Sequence, residues 1–282
     1  MSYIALMLYL AVAFILQFLT GDLPVSLMAF PLNVILFLIW LCGVYMIWKH
    51  SSRSMFARFM LSRQATISAI VLFLSFSLVI GLSGLRNLTS TWVFAAVMLY
   101  FQTVLLFVIL RGWRTAASPG TGKGTIRWRF LLNHVGILLA VAAPFWGAPD
   151  SETLRLQAFK DMPEREAYRM DGTSRWLSYE IEMKDFSVET YENGVPSMYE
   201  AELIIGGEPV TLKVNHPYSI SFAEDLYLTG YDADPGIDPR YCIVQIVREP
   251  WKYGAVAGIL MMLAGAFLLF AGGPKSLRSE EE

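Results

Sequence analysis

Six stretches of this chain are apolar over a membrane-crossing length, near residues 3–19, 27–48, 67–85, 91–110, 131–147 and 253–271. Crossing the hydrocarbon core as a helix takes about 17–25 mostly apolar residues. Within lipid every backbone N–H and C=O must find its partner inside the protein, which leaves helices as the solution for segments of this kind. Composition agrees: 55% of the 282 residues are hydrophobic and only 16% are charged, where soluble domains carry about 25% charged residues. The first segment, MSYIALMLYLAVAFILQFLTGD, lacks a basic n-region and a small-x-small cleavage site, so it reads as a retained helix rather than a signal peptide.

Basic residues in the connections orient the spans. The loop 49–66 carries Lys49, Arg53, Arg58 and Arg63, and the loop 111–129 carries Arg111, Arg114, Lys123, Arg127 and Arg129. By contrast 20–26 has no Lys or Arg, and 82–90 has only Arg86. Six spans with both termini in the cytoplasm are therefore expected, with 148–251 on the extracytoplasmic side. The division reads as an N-terminal transmembrane hairpin over 1–48, spans and basic loops over 49–147, an outer domain over 148–251, and a final helix with a tail over 252–282. The loop SPGTGKGTIR (118–127) resembles part of a phosphate loop, but it lacks the full spacing and a preceding strand, and reads as a flexible basic linker.

The net charge of −2 conceals an asymmetry. Residues 150–250 hold 20 acidic against 9 basic residues, and the rest of the chain holds 4 against 13. An acidic outer domain makes nucleic acid an improbable partner. Residues 150–175 suit a loop or short helix. Residues 176–248 alternate apolar and polar in about five strands, punctuated at Glu192-Asn193-Gly194, Gly206-Gly207, Asn215-His216-Pro217 and Asp232–Pro239. A small antiparallel β domain follows, flanked by Trp146 and Trp251 where an interfacial aromatic belt would lie. Small residues four apart in the last helix, Gly254 and Gly258, let another helix approach closely, in this chain's own bundle or in a partner.

His134 is the one histidine well inside an apolar run. An ionisable group at membrane depth costs a few kcal/mol unless paired, which marks it as a functional candidate. Neutral imidazole is a good axial ligand for haem iron. The alternative is a structural histidine hydrogen-bonded to a neighbouring helix, for instance to Gln102 or a backbone carbonyl. His50, in WKHSSRS, ends the second span and could supply a second ligand on the same side, but among basic residues it reads rather as a solvated loop residue. His216, in N-H-P, reads as part of a turn rather than as a ligand. The two cysteines, Cys42 and Cys242, form no C-x-x-C, and Cys242 alternates within a strand as a core thiol would.

The outer domain carries an ordered set of phrases: D-F-S-V-E-T-Y-E-N-G from Asp185 to Gly194, V-N-H-P at Val214–Pro217, an aromatic strand ending Tyr231-Asp232, and V-R-E-P at Val247–Pro250 leading into the last helix. Asn133–Gly136, Gly147–Asp150, the span after Ser62 and STWVF at 90–94 complete the order. Over about residues 60–272 the chain resembles the ResB family of system II cytochrome c biogenesis. The outer domain is short for that family, residues 1–48 look like an added hairpin, and the tryptophan-rich W-x-W-D segment of the family's partner is absent.

The resemblance implies a multi-pass subunit of the bacterial cytoplasmic membrane. Such a subunit works with a CcsA-type partner to move haem across the bilayer and present it to apocytochrome c. On that reading His134 is one ligand of a transient haem b, the partner supplies the second ligand, and the outer domain is a docking surface. The chain would be an accessory subunit rather than a stand-alone enzyme. Other readings are a membrane-anchored b-haem subunit of an electron-transfer complex, and a transport or scaffold subunit without haem.

Overall fold

A computed structural model describes residues 2–51, 54–84, 87–116, 128–192, 196–232 and 239–271. The chain divides into two compact units, one running up to Pro149 and resuming at Trp251, the other spanning Asp150–Pro250.

The first unit holds α1 (Ser2–Thr20), α2 (Leu32–Lys49), α3 (Met55–Met60), α4 (Arg63–Ser83), α5 (Trp92–Ala116), α6 (Trp128–Gly147) and α7 (Lys252–Ala271). All but the short α3 are long and apolar enough to span a bilayer, as the six windows require. Their ends follow local chemistry. The Ser54 and Ser62 hydroxyls accept from the backbone N–H groups of Ala57 and Ala65, capping α3 and α4. Gly84 ends α4 in the left-handed region that glycine enters without penalty.

The hub is α5. Within its spanning window 61% of residues are buried, against 11–22% in the other five spans, and α1, α2, α4 and α6 pack around it. Tyr9 of α1 donates to the Ala96 carbonyl, the Trp40 indole of α2 donates to the Thr103 hydroxyl, and Ser68 of α4 meets the Tyr100 hydroxyl. Phe107, Val104 and Tyr100 lie at the centre of the resulting core.

Helix α7 lies along α6 on a ladder of small residues. A Cβ at Gly258 would come within 2.5 Å of the Ala140 nitrogen and 2.6 Å of the Gly136 oxygen, and one at Gly136 within 2.7 Å of the Gly258 oxygen. The close approach read from Gly254 and Gly258 is therefore made within this chain. It follows positions 133, 136, 140, 143 and 147 of α6, one face of a helix.

The second unit is one antiparallel sheet of eight strands among the described residues: β1 (Glu152–Phe159), β2 (Glu164–Tyr168), β3 (Ser174–Thr190), β4 (Pro196–Ile205), β5 (Glu208–Lys213), β6 (Tyr218–Ser221), β7 (Glu224–Tyr231) and β8 (Tyr241–Arg248). Their order is β5-β4-β3-β2-β1-β8-β7-β6. Leu154, Leu156 and Ala158 alternate inward on β1, as do Cys242, Val244 and Ile246 on β8 and Leu226 and Leu228 on β7. They share one core with Ile181, Met183, Leu203 and Leu212.

The expectation of a loop or short helix over 150–175 is overturned, because β1 and β2 occupy it and β1 pairs residue for residue with β8 from Glu152↔Arg248 to Phe159↔Tyr241. The charges that argued against a strand sit on its outward positions, where Arg155 alternates with the buried Leu154 and Leu156. The expected hairpin at Gly206-Gly207 is present, with φ of 59° and 91°, values that glycine takes freely. The turn at Asn215-His216-Pro217 also forms, with Asn215 at φ 62°. The linker 118–127 and most of the turns at 192–194 and 232–239 lie outside the described residues.

Candidate functional site

His134 stands two turns into α6, half-buried. Its Nδ1 lies 2.8 Å from the Phe130 carbonyl one turn earlier. A carbonyl only accepts, so Nδ1 carries a proton, and in the neutral ring the lone pair then sits on Nε2. Fixing one ring nitrogen on a backbone carbonyl while the other keeps its lone pair is how proteins orient imidazoles that ligate metals. The bond is to a carbonyl of His134's own helix and not to a neighbouring one, and it is a bond that a metal ligand also makes. Gln102 is engaged elsewhere.

The ring is set by a stack. Phe130 lies 4.0 Å from the His134 ring, centroid to centroid, with 30° between the planes. On its other side Phe130 presses onto Gly112 of α5, where a Cβ would come within 2.1 Å of the ring edge. The absence of a side chain at 112 thus lets the phenyl ring settle, and the phenyl ring sets the imidazole. Sequence reading missed both residues, since a glycine in an apolar helix shows its purpose only when its neighbour is seen.

These residues fit one side of a haem and no more. His134 supplies a neutral nitrogen beside an aromatic face, but haem iron held by two axial groups needs a second. The described residues contain no group of three or more His, Cys, Asp or Glu side chains able to hold a metal. His50 is an exposed cap at the end of α2, its Nδ1 3.0 Å from the Met46 carbonyl. His216 is exposed in the β5–β6 turn, its Nδ1 3.1 Å from the Val214 carbonyl. Both lie on the surface, His50 at the end of a helix and His216 in a turn. Cys242 is fully buried, and burial pushes its thiol up to about 12.

Trp146 and Trp251 also pack against other rings. They form an aromatic group with Phe37 and Trp40, at ring separations of 5.4 Å for Phe37–Trp146, 6.3 Å for Phe37–Trp251 and 5.9 Å for Trp40–Trp146. The Trp146 indole donates to Gln102 at 3.0 Å, and its carbonyl accepts from Asn33 at 2.9 Å. Asn33 and Gln102 are the buried polar residues among those described, both at 2% exposure or less. Beside this group a cavity of about 970 Å³ opens between α1, α2, α5 and α6. His134 does not line it, although the lining residues Val141 and Phe145 follow seven and eleven positions later on the same face of α6.

None of the curated proteins matches the chain. Among solved structures, one described as Cytochrome c Heme Lyase CcmF is similar, with a TM-score of 0.40 and 16% sequence identity over 71% of this chain. The matched part spans about a third of that protein's length, 34%. Residues 122–244 match the ResB-like family, from the linker before α6 into β8. That stretch contains His134 and most of the β unit, and over those residues, less than half of the chain, the sequence is similar to the ResB-like family.

Proposed function

We propose that this chain is the ResB-like subunit of a system II assembly that moves haem across the bacterial cytoplasmic membrane and presents it for attachment to apocytochrome c. In this reading α6 carries half of the iron site. Phe130 and Gly112 hold the His134 imidazole with Nδ1 protonated, and a histidine of a CcsA-type partner, the subunit with the W-x-W-D segment, supplies the opposing ligand. The β unit, acidic and extracytoplasmic by the distribution of basic loops, acts as the docking surface. Its short outermost strands β5 and β6 are the edges open to an added strand.

The observation that carries this reading is the His134 imidazole, set within the apolar helix α6 of the matched stretch and held at Nδ1 by the Phe130 carbonyl. A subunit holding haem by itself through two axial histidines would need a second one beside it, and His50 and His216 lie elsewhere on the chain.

The test is haem content by pyridine haemochrome on the chain purified alone and on the chain co-purified with its CcsA-type partner. The shared-site reading expects haem only in the complex, and expects His134→Ala to strip it while leaving the two subunits together. A chain that purifies with stoichiometric haem in the partner's absence would instead be the b-haem subunit of an electron-transfer complex.

A further inference from the structure

The cavity beside Trp146 is a second site, independent of the reading of His134. It is walled by Val12, Ala13, Leu36, Ala95, Leu99 and Val141, among others, with Asn33, Thr89 and Ser90 as its polar contributors and no charged residue. At about 970 Å³ it stands near the top of the range that ligand pockets occupy.

The polar groups in its walls are largely satisfied within the protein. The Trp40 indole donates to Thr103, that of Trp92 to Thr20, that of Trp146 to Gln102, and the Tyr9 hydroxyl to Ala96. Asn33 donates to the Trp146 carbonyl. The lining therefore presents mainly carbon. Among the described residues it offers no cation for a carboxylate such as a haem propionate, and the indoles and phenol are already occupied.

This apolar hollow is half-open to its surroundings. Left empty, its lining would forfeit dispersion contacts, and water needs polar partners that these walls lack among the described residues. Within a bilayer the apolar material at hand is the lipid chain.

We infer that this cavity binds a phospholipid acyl chain, selected by its hydrocarbon and not by its headgroup. Small side chains at Ala13, Ala95, Ala96 and Ala140 make the room, and Thr89 and Ser90 are polar groups at its rim for the glycerol end.

The full chain reconstituted in phosphatidylcholine vesicles doped with a lipid bearing a diazirine at mid-chain tests this by photolabelling and peptide mass spectrometry. Val12, Leu36 and Val141 should be labelled several-fold above the core residue Val104. Ala95→Trp and, separately, Val12→Trp should lower that labelling several-fold while leaving labelling of the exposed Phe267 and Phe270 on α7 unchanged. Replacing the carrier with phosphatidylglycerol should make no difference. Cavity labelling no higher than at Val104, labelling that both tryptophan variants leave intact, or labelling abolished by added haem would each overturn the inference. None of these outcomes bears on whether His134→Ala strips haem from the complex.

Discussion

At the scale of single residues, three positions set the imidazole: Gly112 leaves room, Phe130 fills it, and His134 leans on Phe130 through both its ring and its Nδ1. A methyl group at 112 would displace the phenyl ring, because the 2.1 Å separation from a Cβ is far inside van der Waals contact. Gly112→Ala is therefore expected to keep haem in the complex but shift its Soret band and EPR signal. A variant with the wild-type spectrum would show that Phe130 does not orient the ligand. At Cys242 burial raises the thiol from 9.0 to about 12. The folded state then keeps a proton that the unfolded chain loses above pH 9. The stability tied to that proton is complete below pH 9 and is lost as pH rises toward 12. Iodoacetamide at pH 8 should leave Cys242 unmodified until the protein is denatured; prompt modification of the folded chain would contradict its place in the core.

At the scale of elements, the α6–α7 pair depends on glycine where backbones touch. Gly258→Ala would drive a Cβ against backbone atoms of Gly136 and Ala140, not against a flexible side chain end. Overpacking of this kind costs roughly 1–3 kcal/mol. Gly43→Ala in α2 meets nothing within 4 Å and should be neutral or stabilising by about 0.5–1 kcal/mol, since alanine is the better helix former. Thermal unfolding in detergent separates the two, and equal midpoints for both variants would argue against close α6–α7 contact. The helices were legible in the sequence because apolar length is local information. The hairpin at Gly206-Gly207 was legible for the same reason. Strand β1 was not: its outward Arg155 and flanking acids disguise Leu154, Leu156 and Ala158, and its identity depends on β8, some ninety positions away. His134 stood out as an ionisable group in an apolar run. Gly112, Phe130, Asn33 and Gln102 did not, because each acts through a neighbour on another helix or an adjacent turn.

At the scale of the whole molecule, a helical unit with α5 as its axis and an eight-stranded sheet inserted between α6 and α7 form a chain whose ResB-like stretch begins before α6 and ends in β8. The proposed function asks this chain for one iron ligand and its partner for the other, so the decisive variant removes the imidazole and lets it be supplied from solution. His134→Gly in the complex with the CcsA-type partner should lose the low-spin haem spectrum, and free imidazole should restore it. A His134→Gly complex that keeps its full low-spin haem signal without added imidazole would contradict the account.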